Sequence, residues 1–121
     1  VSASQRRKGA AFERLVAQWY REAMPGAHVS RGVQAWEKSL DPDLRMPFFA
    51  PECKCQIRPN IYAAMAQAEA NAGDRFAVVV RRKSGTNGSD PPVDLVTLRA
   101  DDAMLLLRQW WDAYGRKEWV G

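Results

Sequence analysis

Glu52-Cys53-Lys54-Cys55-Gln56-Ile57 alternates charged or polar residues with small apolar ones, which is the period of a strand. Glu52 and Lys54 then project from one face and the two cysteines from the other. The cysteine side belongs to the core and the charged side to a cleft or to water. Upstream stands Pro42-Asp43, whose carboxylate joins that cleft from a neighbouring strand or turn. Two carboxylates held close repel each other, and a divalent cation removes that cost. Mg2+ and Mn2+ prefer oxygen ligands and keep several waters. Such an ion acidifies water and polarises a phosphoryl oxygen. A lysine two residues beyond a ligand orients the attacking water or neutralises charge developing on a phosphate. Those are the parts required for phosphodiester hydrolysis. Asp41 lies two residues before Asp43, on the same side of an extended chain, so either carboxylate can fill the role. Taken singly, Glu-x-Lys also describes a solvated strand face and Pro-Asp a turn; the order of elements around them carries the reading.

Those elements are legible from periodicity. Phe12, Leu15, Val16, Trp19 and Ala23 recur at helical spacing, so a helix is expected over about residues 5–23, with Ser4 as its N-cap and Pro25-Gly26 as its stop. Glu13 lies on the flank of that stripe and looks along the surface toward whatever the helix packs on, or pairs with Arg14 or Arg21. Residues 27–33 suit a short strand. The strand bearing Glu52 follows, with Pro51 at its first position. Asn60 caps an Ala-rich second helix that Gly73 ends. Phe76 to Val80 reads as a buried strand, Ser84 to Pro92 as a loop, and Val93 to Leu98 as another strand. A last helix, about 101–114, carries Met104, Leu105, Leu106, Leu107, Trp110 and Trp111, more apolar surface than one face needs, so part of it is expected to meet a partner subunit or the core. The sum is one mixed α/β domain spanning residues 1–121, a small mixed sheet flanked by helices.

Pro42-Asp43, eight residues, then Glu52-x-Lys54 resembles the PD-(D/E)xK nuclease superfamily. The resemblance narrows with Arg6-Arg7-Lys8-Gly9-Ala10-Ala11-Phe12-Glu13-Arg14-Leu15, which looks like the first helix of archaeal-type and phage Holliday junction resolvases. Val29-Ser30-Arg31-Gly32 is similar to their next strand and loop, and Ala66-Gln67-Ala68 and Phe76 to Lys83 follow in the same order. The likeness covers roughly residues 5–98. It implies a restriction-endonuclease-like core of order αβββαβ. Asp43 and Glu52 would bind Mg2+ or Mn2+, helped by the backbone carbonyl of Cys53. Lys54 would orient the water, Glu13 would act near the metal, and Gln67 would brace the site from the second helix. Arg6, Arg7, Lys8, Arg31, Arg81, Arg82 and Lys83 would hold DNA phosphates. The implied activity is structure-selective cutting of branched DNA by a homodimer, leaving a 5′-phosphate. A sequence-tolerant nuclease for repair, restriction or phage DNA processing keeps the same site, and a non-catalytic DNA-binding module keeps only the fold. One departure stands out: the stretch between Asp43 and Glu52 holds two prolines and no glycine, so the usual tight hairpin is not expected there.

Composition agrees with these limits. The chain has 121 residues, of which 46% are apolar and 26% charged, which excludes disorder for its bulk. Lys plus Arg number 18 against 14 acidic residues, a net charge of +4 that permits a polyanionic partner without demanding one. Cys53 and Cys55 are too close along a strand to pair, and with His28 as the one histidine they make structural zinc and most histidine-based mechanisms implausible. No run approaches the ~20 apolar residues of a membrane span, and the polar, basic start reads as no signal peptide, so a cytoplasmic setting is expected. Trp36, ahead of Asp43, either stacks on an unpaired base or fills a hydrophobic gap.

Overall fold

The computed structural model describes residues 3–32, 42–56, 60–83 and 93–118. Trp36, Asp41 and the loop 84–92 therefore lie outside the described residues. The expected order of elements is present. Helix α1 (Ala3–Ala23) leads to strands β1 (Ser30–Arg31), β2 (Leu44–Arg45) and β3 (Phe49–Gln56), then helix α2 (Ile61–Ala72), strands β4 (Phe76–Lys83) and β5 (Asp94–Thr97), and helix α3 (Ala100–Trp110). A π-helical turn (Trp111–Gly115) and a short helix α4 (Arg116–Glu118) prolong α3.

Strand β3 pairs parallel with β4, which pairs antiparallel with β5, while β1 and β2 form a short antiparallel pair of their own. The two sheets meet where the Asp43 N–H donates to the Pro51 carbonyl at 3.1 Å. Pro51 is the third residue of β3, not its first as the sequence suggests. The strand tolerates it because a residue's N–H and C=O point to the same edge. The missing donor of Pro51 thus faces β2, where pairing is partial, and the ladder to β4 stays whole.

Two cores lie on opposite faces of the β3–β4 pair. Phe12, Val16 and Ala17 of α1 cover one face, against Val78, Val80 and the cysteines Cys53 and Cys55. Ala64, Ala68 and Ala72 of α2 cover the other, against Ala50, Ala77 and Val79. Small residues on both sides of that second contact let α2 come close to the sheet. The Asn60 side chain caps α2 by accepting from the Ala63 N–H at 3.1 Å, and Gly73 ends it at φ 63°.

Three local details bear on the expectations. Helix α1 already runs from Ala3, so Ser4 lies inside it. The chain turns from β2 into β3 without glycine and without a β2–β3 ladder, Phe48 adopting φ 71° and the Phe49 N–H donating to the Pro47 carbonyl at 2.9 Å. Finally, α3 has no buried residue, so its tryptophans are not core within one chain. No described helix is long and apolar enough to cross a membrane.

Candidate active site

The site forms where β2 peels away from β3. Beyond Pro51 the next amide on that edge of β3 belongs to Cys53, and it has no strand partner there. The Asp43 carboxylate takes its place, its Oδ2 accepting the Cys53 N–H at 2.7 Å. By the same alternation the Cys53 carbonyl points to this edge. Glu52, one residue back, shares the α2-facing side of β3 with Ala50 and lies close enough to Asp43 to feel its charge. Lys54, two residues on, shares that face. Its Nζ lies 3.3 Å from the Glu52 Oε1 and donates to the Gln67 Oε1 on α2 at 3.2 Å. Ala64 and Ala68, on either side of Gln67, bring the helix near enough for that bond.

Glu13 enters from α1. It is 8% exposed, and its Oε2 lies 3.4 Å from the Arg31 guanidinium of β1. The Nε of Arg31 is buried with no acceptor among the described residues. Asp43, Glu52, Lys54 and Gln67 thus form one chain of contacts, with Glu13 and Arg31 beside it. Glu52 is the surprise: it is 3% exposed, whereas the alternation alone set it toward a cleft or water.

Burial dominates the electrostatics. It pushes Glu52 up from 4.5 to about 7, and the neighbouring Asp43 charge pushes the same way, against the pull of Lys54. Asp43 is also raised by burial, opposed first by its bond to the Cys53 amide. Glu13 is raised by burial and by Asp43, while Arg31 and Arg14 oppose the rise. The Asp43–Glu52 pair therefore retains a proton at pH values where exposed carboxylates have lost theirs.

That donor set fits a hard divalent ion. A buried carboxylate beside a half-buried one is relieved when a cation stands between them, and Mg2+ needs only one or two carboxylates with water completing its shell. Among the described residues no group of three or more His, Cys, Asp or Glu side chains forms a metal cage. Glu13 turns to Arg31 instead of completing one.

The basic residues fall into distinct settings. Arg6, Arg7 and Lys8 are exposed on the first turns of α1, and Lys83 is exposed at the end of β4. Arg81 pairs in register with Lys54 and is half-buried. Arg82 is engaged elsewhere: Nε and Nη2 bond both oxygens of Asp94 at 2.6 and 2.7 Å, and its guanidinium lies 5.3 Å from the Phe12 ring centroid. Sequence reading also missed His28, Arg45 and Arg75. Folding brings them together in one cleft beside Pro42, and no run of basic residues announces it.

Compared with protein-family models, curated proteins and solved structures, the chain has no match.

Proposed function

We propose that the protein is a divalent-metal-dependent DNA endonuclease with a restriction-endonuclease-like core, acting as a Holliday junction resolvase-like enzyme. The observation that carries this reading is the buried Glu52 carboxylate beside the half-buried Asp43, with Lys54 Nζ 3.3 Å from Glu52. A core that merely needed filling would not accept two carboxylates there, since burying charge without compensation is costly. Asp43, Glu52 and the Cys53 carbonyl would hold Mg2+ or Mn2+. When bound, the ion supplies charge to the phosphate and acidity to a coordinated water.

The chain's own side chains do the rest. Lys54, steadied by Gln67, orients the attacking water and offsets negative charge growing on the phosphate. The Cys53 amide keeps Asp43 from swinging out of the site. Arg31, one side held by Glu13, presents its guanidinium to the phosphate of the strand being cut. Arg6, Arg7, Lys8, Arg81 and Lys83 add salt-dependent attraction for the rest of the duplex.

One small site per chain cuts one strand, so paired cuts need two copies. The apolar side of α3 offers the contact. Met104, Leu107, Trp111 and Tyr114 recur at the spacing of a helical seam and are between 37% and 63% exposed.

Incubating a synthetic four-way junction and a linear duplex of the same sequence with Mg2+ tests this. The junction should be cut in both opposing strands, and Glu52→Gln and Lys54→Ala should bind but not cut. Equal cutting of both substrates would remove the junction preference. Tight binding without cutting in Mg2+ or Mn2+ would remove the enzyme.

A further inference from the structure

A second cleft backs onto the carboxylate pair. His28, Ser30, Arg45 and Arg75, with Pro42 and Pro47, line an open cleft of about 500 Å3. Its described lining carries two arginines, a histidine and a serine, and no acidic side chain. Pro42 is covalently next to Asp43, and Ser30 next to Arg31, so the same β1–β2 pair borders both the cleft and the candidate active site. The Arg75 Nε donates to the Ala72 carbonyl at 3.2 Å, which fixes that guanidinium at the cleft wall. This is a setting for an anion.

A conformational observation points to what the anion belongs to. Phe48 sits at φ 71°, where a Cβ is costly, yet its side chain is 70% exposed. Burial of the ring does not offset the strain, and glycine or asparagine would close the same turn at lower cost. The turn is nevertheless held firmly. The Phe48 carbonyl accepts the Phe76 N–H at 2.8 Å, and Phe49 packs between Tyr20 and Phe76 with ring centroids 6.2 and 6.0 Å away. Its neighbours Pro47 and, across the sheet, Arg75 line the cleft. An exposed aromatic side chain on a firmly held backbone therefore stands next to a residue that lines a basic cleft. Strain that packing does not require is a mark of function.

We infer that this cleft binds a nucleic-acid strand at an unpaired nucleotide, with Arg75 on a phosphate and Phe48 stacked on the base. A phosphate contact alone is blind to strand pairing, and an aromatic face is available only to a base that has left its stack. The inference rests on the nuclease reading for the class of ligand, and it supplies that reading with a contact that separates branched from linear DNA.

Binding is measured by fluorescence anisotropy with Ca2+ replacing Mg2+, using a labelled fork with unpaired arms and a fully paired duplex of equal length. Phe48→Ala should weaken fork binding about 5- to 30-fold and duplex binding less than about twofold, while Phe48→Trp keeps the fork preference. Arg75→Gln should weaken both and lower the salt slope by about one. Phe48→Gly should lose the fork preference yet melt at the same temperature as the wild type or a few degrees higher, which a purely structural phenylalanine would not do. Phe48→Ala binding the fork as tightly as wild type overturns the inference. So does an equal loss on both DNAs, or a wild type that binds neither. Cutting of the same fork in Mg2+ is scored separately. Phe48-dependent binding without cutting keeps the cleft and ends the nuclease reading; cutting that ignores Phe48 does the reverse.

Discussion

The Asp43 carboxylate accepts the Cys53 amide N–H at 2.7 Å, which makes a side chain do the work of a missing strand. Because Glu52 precedes Cys53, the same bond that completes the sheet edge also draws a second carboxylate against Asp43. The repulsion at the candidate site is thus built into the fold, and removing it should be measurable.

Glu52 retains its proton to about pH 7 in the fold, against 4.5 when exposed. Between those values the native chain binds more protons than the unfolded one, so stability falls as pH rises from about 4.5 to 7 and levels off above. By 1.36 kcal/mol per unit, the loss is of the order of 3 kcal/mol. In chelator, the wild-type melting temperature should therefore drop between pH 5.5 and 8. Glu52→Gln should flatten that drop and melt higher than wild type at pH 8, while abolishing cutting. Added Mg2+ should restore the wild type at pH 8. A variant with the same pH slope as wild type would show that Glu52 is not the residue that titrates.

Lys54 touches both Glu52 and Gln67, so Gln67 acts on chemistry only through the lysine. Lys54→Ala should lower kcat by about 100-fold or more. Gln67→Ala should lower kcat roughly tenfold with KM unchanged, because the ammonium loses one of its two anchors but DNA loses nothing. Gln67→Glu keeps an acceptor and should recover most of the rate. A rise in KM at constant kcat would make Gln67 a binding residue instead of a positioning one.

Much of this site was readable before any coordinates. Period-two alternation put Glu52 and Lys54 on one face, and the Asn60 cap and Gly73 stop set the helix that carries Gln67. Local patterns gave a helix, two or three strands, a helix, two strands and a helix, and the structure has three strands in the first group. What local patterns do not contain is partner choice across the fold. Arg82 reads as one of a basic run, yet Asp94 comes 12 residues later, across a strand pairing, to claim it. Glu52 reads as a cleft residue, yet the fold leaves it buried, at 3% exposed. Phe48 reads as an ordinary aromatic, because positive φ at a non-glycine residue is imposed by the turn around it and not by its own preference.

Arg82 consequently has a stability role to test. Its bidentate bond to Asp94 joins β4 to β5, both side chains are largely shielded, and its guanidinium covers Phe12 of α1. Arg82→Ala should cost about 1–2 kcal/mol, and a double-mutant cycle with Asp94→Asn should return a coupling of about 1 kcal/mol. The salt dependence of DNA binding should move little, since Asp94 already neutralises this charge. A salt slope lower by a full unit, with stability unchanged, would place Arg82 on the DNA instead.

The remaining exposed surface argues for a second copy of the chain. On α3 and its π-helical extension the large apolar side chains stand out, and Arg108 and Arg116 are drawn to the one Asp112, at 3.1 and 3.0 Å. Trp110 and Trp111 lie against Gly115, where an added Cβ would meet their rings at 2.7 and 2.6 Å, so the extension is shaped by its own tryptophans. On that side Met104, Leu107, Trp110, Trp111 and Tyr114 are between 37% and 63% exposed. Light scattering at micromolar concentration should give a mass of about 27 kDa, twice the 13.6 kDa chain. Leu107→Glu places a charge in the seam without touching the sheet, so it should give a folded monomer that still nicks one strand of a junction but no longer cuts both strands in one encounter. A wild type that stays monomeric, or a Leu107→Glu variant that stays dimeric, would rule this face out as the interface.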